Sequence, residues 1–222
     1  MNKLNKNHLL CLVTDTQLCG LRSLEDVVEL AVRGGVNVVQ LREKNATTNE
    51  FLQSGKRLKS MLDVYKVPLI INDRIDITLA LDAAGLHLGQ SDMSYAIARK
   101  ILGYEKIIGL SVNTLVQAKQ TENLDVDYLG VGPVFQTQTK SDAGQPWNIN
   151  DLKKLREFSK HILIGIGGIN AGNADKVLEI GFEGIAVISA ICAAADPQKS
   201  ATQLFNIVKA ASVSGGGGGY EC

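Results

Sequence analysis

Gln40, Arg42 and Lys44 stand at alternate positions behind the apolar run Val36–Val39. Along an extended strand a period of two puts Gln40 and Arg42 on one face, with Lys44 following at the strand end. Three polar donors at one rim suit an anionic ligand. The run Leu69-Ile70-Ile71 ends in Asn72-Asp73-Arg74, and the short run at 86–89 ends in Gly89-Gln90-Ser91-Asp92. Each offers a carboxylate, and Mg²⁺ is usually held by one or two carboxylates together with substrate phosphate oxygens. The plainer alternative is that Asp73 and Asp92 each cap the helix that follows.

Two further segments look suited to a second anion. Gly130-Val131-Gly132-Pro133-Val134-Phe135-Gln136-Thr137-Gln138-Thr139-Lys140 places two hydroxyls and an ammonium after glycines that let the backbone approach a ligand. Gly165-Ile166-Gly167-Gly168-Ile169-Asn170 and Val187-Ile188-Ser189-Ala190 then supply backbone amides for a phosphate. Acid–base machinery is sparse. Of His8, His87 and His161, only His87 falls near this rim, and between Leu86 and Leu88 it reads equally well as a packed interior residue. Such a site works by electrostatics: cations and a divalent metal can neutralise a departing pyrophosphate while a second, phosphorylated molecule is held beside it. Transfer from a diphosphate ester is the expected chemistry.

The elements that must position these residues alternate along the whole chain. Short Val/Ile/Leu runs at Leu9–Thr14, Val36–Leu41, Pro68–Asn72, Leu86–Gly89, Ile107–Val112, Tyr128–Val134, His161–Gly167 and Gly184–Ser189 read as strands. Between them lie helical segments with recognisable starts, among them Ser23 before Leu24-Glu25-Asp26 and Thr47-Thr48-Asn49-Glu50 opening a helix to Tyr65. Eight βα units at this spacing predict a single (β/α)8 barrel, a TIM barrel, small but within the lower limit of about 200 residues for that fold. An open doubly wound sheet is the alternative. In the barrel, the functional groups belong at the C-terminal ends of the strands, where the candidate residues stand.

The 222 residues, 45% hydrophobic, are enough for one large domain, and 23 basic residues balance 23 acidic ones. No global field favours nucleic acid. The longest stretch without Asp, Glu, Lys or Arg, His161–Ala174, holds four glycines and falls short of the roughly 18 apolar residues that span a bilayer. With no secretory pattern at the N-terminus, the cytoplasm is the expected compartment. Cys11, Cys19, Cys192 and Cys222 make no zinc spacing or disulfide framework, and the first three read as ordinary buried thiols. The catalytic barrel is expected over residues 1–211, with 212–222, including the Gly215–Gly219 run, a mobile tail.

Five signatures, in order, resemble the thiamine phosphate synthase family: Gln-Leu-Arg-Glu-Lys at 40–44, Ile-Asn-Asp-Arg at 71–74, His-Leu-Gly-Gln-Ser-Asp at 87–92, Gly-Pro-Val-Phe with Thr-Gln-Thr-Lys at 132–140, and Ile-Gly-Gly-Ile at 166–169. The likeness extends from Leu12-Val13-Thr14-Asp15 to Ile191. It implies an enzyme that joins hydroxymethylpyrimidine diphosphate to a thiazole phosphate, with loss of pyrophosphate before the thiazole nitrogen captures a pyrimidine cation. By the same resemblance Gln40, Leu41, Arg42, Glu43, Lys44, Asn72, Ser111 and Lys140 hold the pyrimidine diphosphate, with Arg42, Ser111 and Lys140 catalytic. Asp73 and Asp92 bind Mg²⁺, and Thr137, Gln138, Thr139, Gly168, Ile188 and Ser189 bind the thiazole phosphate. Cys11 departs from the family, many members of which have an aromatic residue there. Thiazole tautomerases share the fold. Joint retention of Arg42, Lys44, Asp73, Asp92 and Lys140 argues against that reading, and against a sensor that binds thiamine precursors without turnover.

Overall fold

The computed structural model describes residue 4, residues 8–137 and residues 144–214. Its eight strands are β1 (Leu9–Val13), β2 (Val38–Leu41), β3 (Leu69–Asn72), β4 (Gly85–Leu88), β5 (Ile107–Val112), β6 (Tyr128–Val131), β7 (Leu163–Ile166) and β8 (Gly184–Val187). Every strand pairs in parallel with its sequence neighbour, and β8 pairs with β1 through Leu9–Gly184 and Leu12–Val187. That last pairing closes the ring, so the sheet is the expected (β/α)8 barrel and not an open doubly wound sheet.

Side chains alternate across the wall. Leu10, Leu12, Val39, Leu41, Ile71, Leu86 and Leu129 point outward and pack beneath the helices. Cys11, Val13, Val38, Ile70, Ile107, Tyr128, Ile164 and Ala186 form a separate inner cluster. The helices are α1 (Leu24–Arg33), α2 (Thr48–Tyr65), α3 (Ile75–Ala80), α4 (Tyr95–Leu102), α5 (Leu115–Thr121), α6 (Ile149–Phe158), α7 (Ala174–Leu178), α8 (Ser189–Cys192) and α9 (Pro197–Ser214). In α1, Leu24, Val27, Val28 and Ala31 make one buried stripe at helical spacing. Ser23 accepts from the Asp26 N–H, and Thr47 with Glu50 forms a capping box, so both expected helix starts are present. The backbone of α9 continues to Ser214, beyond the expected boundary at 211.

Strand ends are shorter than composition suggested. β6 stops at Val131 rather than Val134, since Pro133 has no N–H to extend a ladder. β8 stops at Val187 rather than Ser189: Ile188, at φ −119° and ψ −82°, leaves the extended run, and Ser189 opens the short α8. Val36 precedes β2, its N–H still donating to the Ala31 carbonyl of α1.

Candidate active site

A cavity of about 440 Å³ opens at the C-terminal rim of the barrel. Arg42 and Lys44 from β2, Asn72 and Asp73 from β3, Gly89–Asp92 after β4 and Ser111 from β5 line it on one side. Across the ring are Gly130 of β6 with Gly132, Pro133 and Thr137 after it, Ile166 of β7 with Gly167–Ile169 after it, and Val187 of β8 with Ile188 and Ser189 after it. The closed strand order puts the first group, on β2 to β5, opposite the second, on β6 to β8. Arg42, Lys44, Asn72, Asp73, Asp92, Ser111, Thr137, Gly168, Ile188 and Ser189 therefore meet in one space.

Three other predicted residues lie elsewhere. Leu41 is fully buried and faces outward among the helices, so only its backbone borders the strand end. Glu43 accepts a 2.6 Å hydrogen bond from the Thr16 hydroxyl, at the β1 side of the rim. Gln40 is buried and does not line the cavity. Gln138, Thr139 and Lys140 fall outside the described residues.

Neither aspartate caps a helix. α3 begins after Arg74 and α4 after Ser94, each without a side-chain cap. Asp92 Oδ2 instead accepts from the Gly89 N–H at 2.7 Å, while the Asp73 N–H donates to the His87 carbonyl at 2.9 Å. Asp73 adopts φ +64°, a left-handed conformation uncommon for a side chain other than glycine and typical of functional turns. Burial, followed by the hydrogen bond and negative charge of Asp92, pushes its carboxyl up to about 6, against the pull of Lys44 and Arg42. Two carboxylates facing each other repel unless a proton or a cation stands between them. The donor set therefore fits a hard divalent cation completed by ligand oxygens and water, as Mg²⁺ prefers. Among the described residues no group of three or more His, Cys, Asp or Glu forms a closed cage.

On the opposite side Gly167 and Gly168 both lie at positive φ, +99° and +66°. A β-carbon on Gly168 would stand 2.5 Å from the Gln136 carbonyl oxygen, so backbone meets backbone here only without side chains. Asn173 Nδ2 holds the Gly168 carbonyl at 2.9 Å, fixing the turn.

His87, weighed in the sequence as a packing residue, does both jobs: it is 7% exposed and lines the cavity. Gln90 also lines the cavity, its amide donating to the Ser111 carbonyl at 2.6 Å. The signal for both was present in the His-Leu-Gly-Gln-Ser-Asp motif. Tyr128, behind His87, gave no such signal.

A family model described as thiamine monophosphate synthase matches residues 10–191. The chain is 49% identical over 201 residues to a thiamine-phosphate synthase of Albidiferax ferrireducens, covering 90% of this chain and 92% of that one. It is 46% identical to one of Clostridium acetobutylicum over 92% of this chain and 97% of the relative. Among solved structures, thiamine phosphate pyrophosphorylase from Pyrococcus furiosus superposes with a TM-score of 0.85 at 38% identity, over 93% of this chain and 98% of that one. Because the family match runs from β1 into α8, it takes in every residue that lines the cavity, and this chain belongs to the thiamine monophosphate synthase family.

Proposed function

We propose that this chain is a transferase that couples hydroxymethylpyrimidine diphosphate to a thiazole phosphate, yielding thiamine phosphate and pyrophosphate. The observation that carries this reading is the pairing of two different anion stations across one cavity. Arg42, Lys44 and the two aspartates stand on β2 to β4, and Thr137, Gly168 and Ser189 stand opposite on β6 to β8. An isomerase of one phosphorylated thiazole needs only the second station.

Arg42, Lys44, Asn72, Ser111 and Lys140 bind the diphosphate substrate, and Arg42 and Lys140 stabilise charge that grows on the leaving pyrophosphate. Asp73 and Asp92 would hold Mg²⁺, which supplies Lewis-acid neutralisation of that charge. Thr137–Thr139, Gly168, Ile188 and Ser189 hold the thiazole phosphate through hydroxyls and backbone N–H groups. The thiazole nitrogen is a neutral nucleophile and needs no strong base. Ring nitrogen and departing oxygen are thus aligned by the two anion stations, while the barrel wall keeps water from capturing the intermediate cation. Residues 1–211 are the catalytic unit, 212–222 take no part, and the enzyme acts in the cytoplasm; among the described residues no helix is long and apolar enough to cross a membrane.

The direct test is the purified chain with both substrates and Mg²⁺, assayed for pyrophosphate and thiamine phosphate. Isomerised thiazole phosphate without coupling would assign a tautomerase instead. If pyrophosphate leaves first, electron-withdrawing fluorine in the pyrimidine methyl group slows chemistry sharply in single-turnover experiments, because the transition state carries positive charge at the methylene. Equal rates across such a series would exclude the dissociative route.

The metal assignment has its own readout. Asp73→Asn and Asp92→Asn each remove an anionic ligand, so both variants are expected to need more Mg²⁺ for half-maximal activity; wild-type titration curves in both would reject the assignment. In the wild type, Mg²⁺ affinity measured by calorimetry is expected to weaken as pH falls below about 6, where a proton occupies Asp73. The sign for metal-free stability follows from the same raised pKa: the folded chain holds that proton more tightly than the unfolded one, so the contribution is full below the ordinary value of 3.8 and is lost as pH rises through about 6.

A further inference from the structure

We propose that Tyr128 and His87 form a one-way chain of hydrogen bonds that ends on Ser111 and turns the Ser111 proton into the cavity, making His87 the positioning residue for a hydroxyl donor. The inference deepens the reading above and rests on it only for what that hydroxyl meets, an acceptor atom of the pyrimidine diphosphate.

The geometry begins with strand register. His87 lies beside Gly109, Gly109 beside Tyr128, and Ser111 beside Gly130, on β4, β5 and β6. Both glycines leave room for rings. A β-carbon on Gly109 would come within 2.1 Å of the Tyr128 ring, and one on Gly130 would stand 3.0 Å from His87 Cε1. The two rings stack with centroids 5.5 Å apart at 27°. Tyr128 Oη is 2.9 Å from His87 Nδ1, and His87 Nε2 is 2.8 Å from Ser111 Oγ. Ser111 in turn lines the cavity.

Direction follows from counting protons. Tyr128 is 4% exposed, and burial holds its phenol well above the ordinary range, so it carries its proton. Among the described residues its oxygen makes one hydrogen bond, to His87 Nδ1, and a buried O–H left without an acceptor is costly. The single phenol proton therefore goes to His87 Nδ1. A neutral imidazole has one N–H. If Nδ1 accepts, that proton sits on Nε2 and is donated to Ser111 Oγ. The serine oxygen then accepts from behind, and its own O–H is free to point at a ligand. In the reverse chain Ser111 would donate backwards and present only lone pairs.

The test is ¹⁵N NMR of the histidine rings in the full, substrate-free chain, with the His87 signals identified by their loss in His87→Gln. The expected result is the Nε2–H tautomer at His87, and a shift to mixed tautomers in Tyr128→Phe, which deletes the donor to Nδ1. An Nδ1–H tautomer in the wild type, or an unchanged one in Tyr128→Phe, overturns the proposal. Kinetics supply a second arm. His87→Gln keeps an N–H that can reach Ser111 and His87→Leu does not. The Gln variant is therefore expected to retain roughly 10-fold more kcat/KM for the pyrimidine diphosphate, the scale of one hydrogen bond, with KM for the thiazole phosphate equal in both. Equal kcat/KM in the two variants also overturns it. If His87→Leu does not fold, the wild-type and Tyr128→Phe spectra decide. The ring signals need no turnover, so a chain that fails to couple its substrates yet shows the Nε2–H ring refutes the reaction and keeps the hydrogen-bond chain.

Discussion

Replacing Arg42 by Ala is expected to lower kcat by about 10²–10³-fold, with a smaller rise in KM for the pyrimidine diphosphate, the magnitude typical of losing one preorganised electrostatic group. The preorganisation is visible at the root of the side chain. The Arg42 N–H donates to Thr14 Oγ1 at 3.0 Å, and the fully buried Thr14 is itself tied to the Gln40 carbonyl at 2.9 Å. These bonds fix the backbone from which the guanidinium reaches the cavity. Arg42 also draws the Asp73 carboxyl downward, so its removal leaves the Asp73 pKa further above about 6 and Mg²⁺ affinity more sensitive to acid. Arg42→Lys keeps the charge but loses the planar fork and falls between the two. Steady-state and single-turnover kinetics check this. Unchanged kcat with raised KM would make Arg42 a uniform binder. Lys140, whose position lies outside the described residues, carries the same expectation.

The largest effect on stability is expected far from the chemistry, at the other end of the strands. Arg99 and Asp127 form a 2.9 Å ion pair with side chains only 6% and 10% exposed. Arg99 also donates to the Gly103 and Lys106 carbonyls, at 2.8 and 2.7 Å, and its guanidinium lies over the Tyr95 and Tyr104 rings. Asp127 accepts the Ile108 N–H at 2.8 Å, which ties the entry of β6 to β5. Asp127→Ala strands a buried guanidinium and an N–H together, and is expected to cost about 3–5 kcal/mol. For a chain of this size that lowers Tm by roughly 10 °C. Asp127→Asn keeps an acceptor for Ile108 and should cost less. Reversible denaturant unfolding measures both, and a loss near zero for Asp127→Ala would mean that water replaces the carboxylate.

Much of this was legible in the sequence because strand and helix periods differ and their caps are local. Ser23 and the Thr47–Glu50 box act within one turn, so reading neighbours sufficed. The strand ends were less legible, because apolar composition continues past Val131 and Val187 while the regular strand pairing does not. In the 40–44 signature, a contiguous motif hides alternation: Gln40 turns to the interior, Leu41 to the helices, and Glu43 to Thr16. Arg42 and Lys44 alone bring their side chains to the cavity wall. The part played by Tyr128 could not be read at all without register. It depends on Gly109 standing beside it and His87 beyond that, a relation set by pairing between strands distant in the chain.

The closure of the ring by β8 against β1 also orders events during synthesis. Arg42, Asp73 and Asp92 leave the ribosome early, but Leu9 finds its partner Gly184 only when all six intervening strands and β8 itself have emerged. Until then β1 and β7 present unpaired edges, templates for association with other chains. Joining residues so far apart is also the contact with the largest entropic cost of loop closure. α9 follows β8 and packs on α1, so a helix made after the ring can close covers one made before it. A nascent chain stalled before β8 would hold the leaving-group residues but lack Ile188 and Ser189 of the wall that faces them, and would be a client for a chaperone before it could be an enzyme.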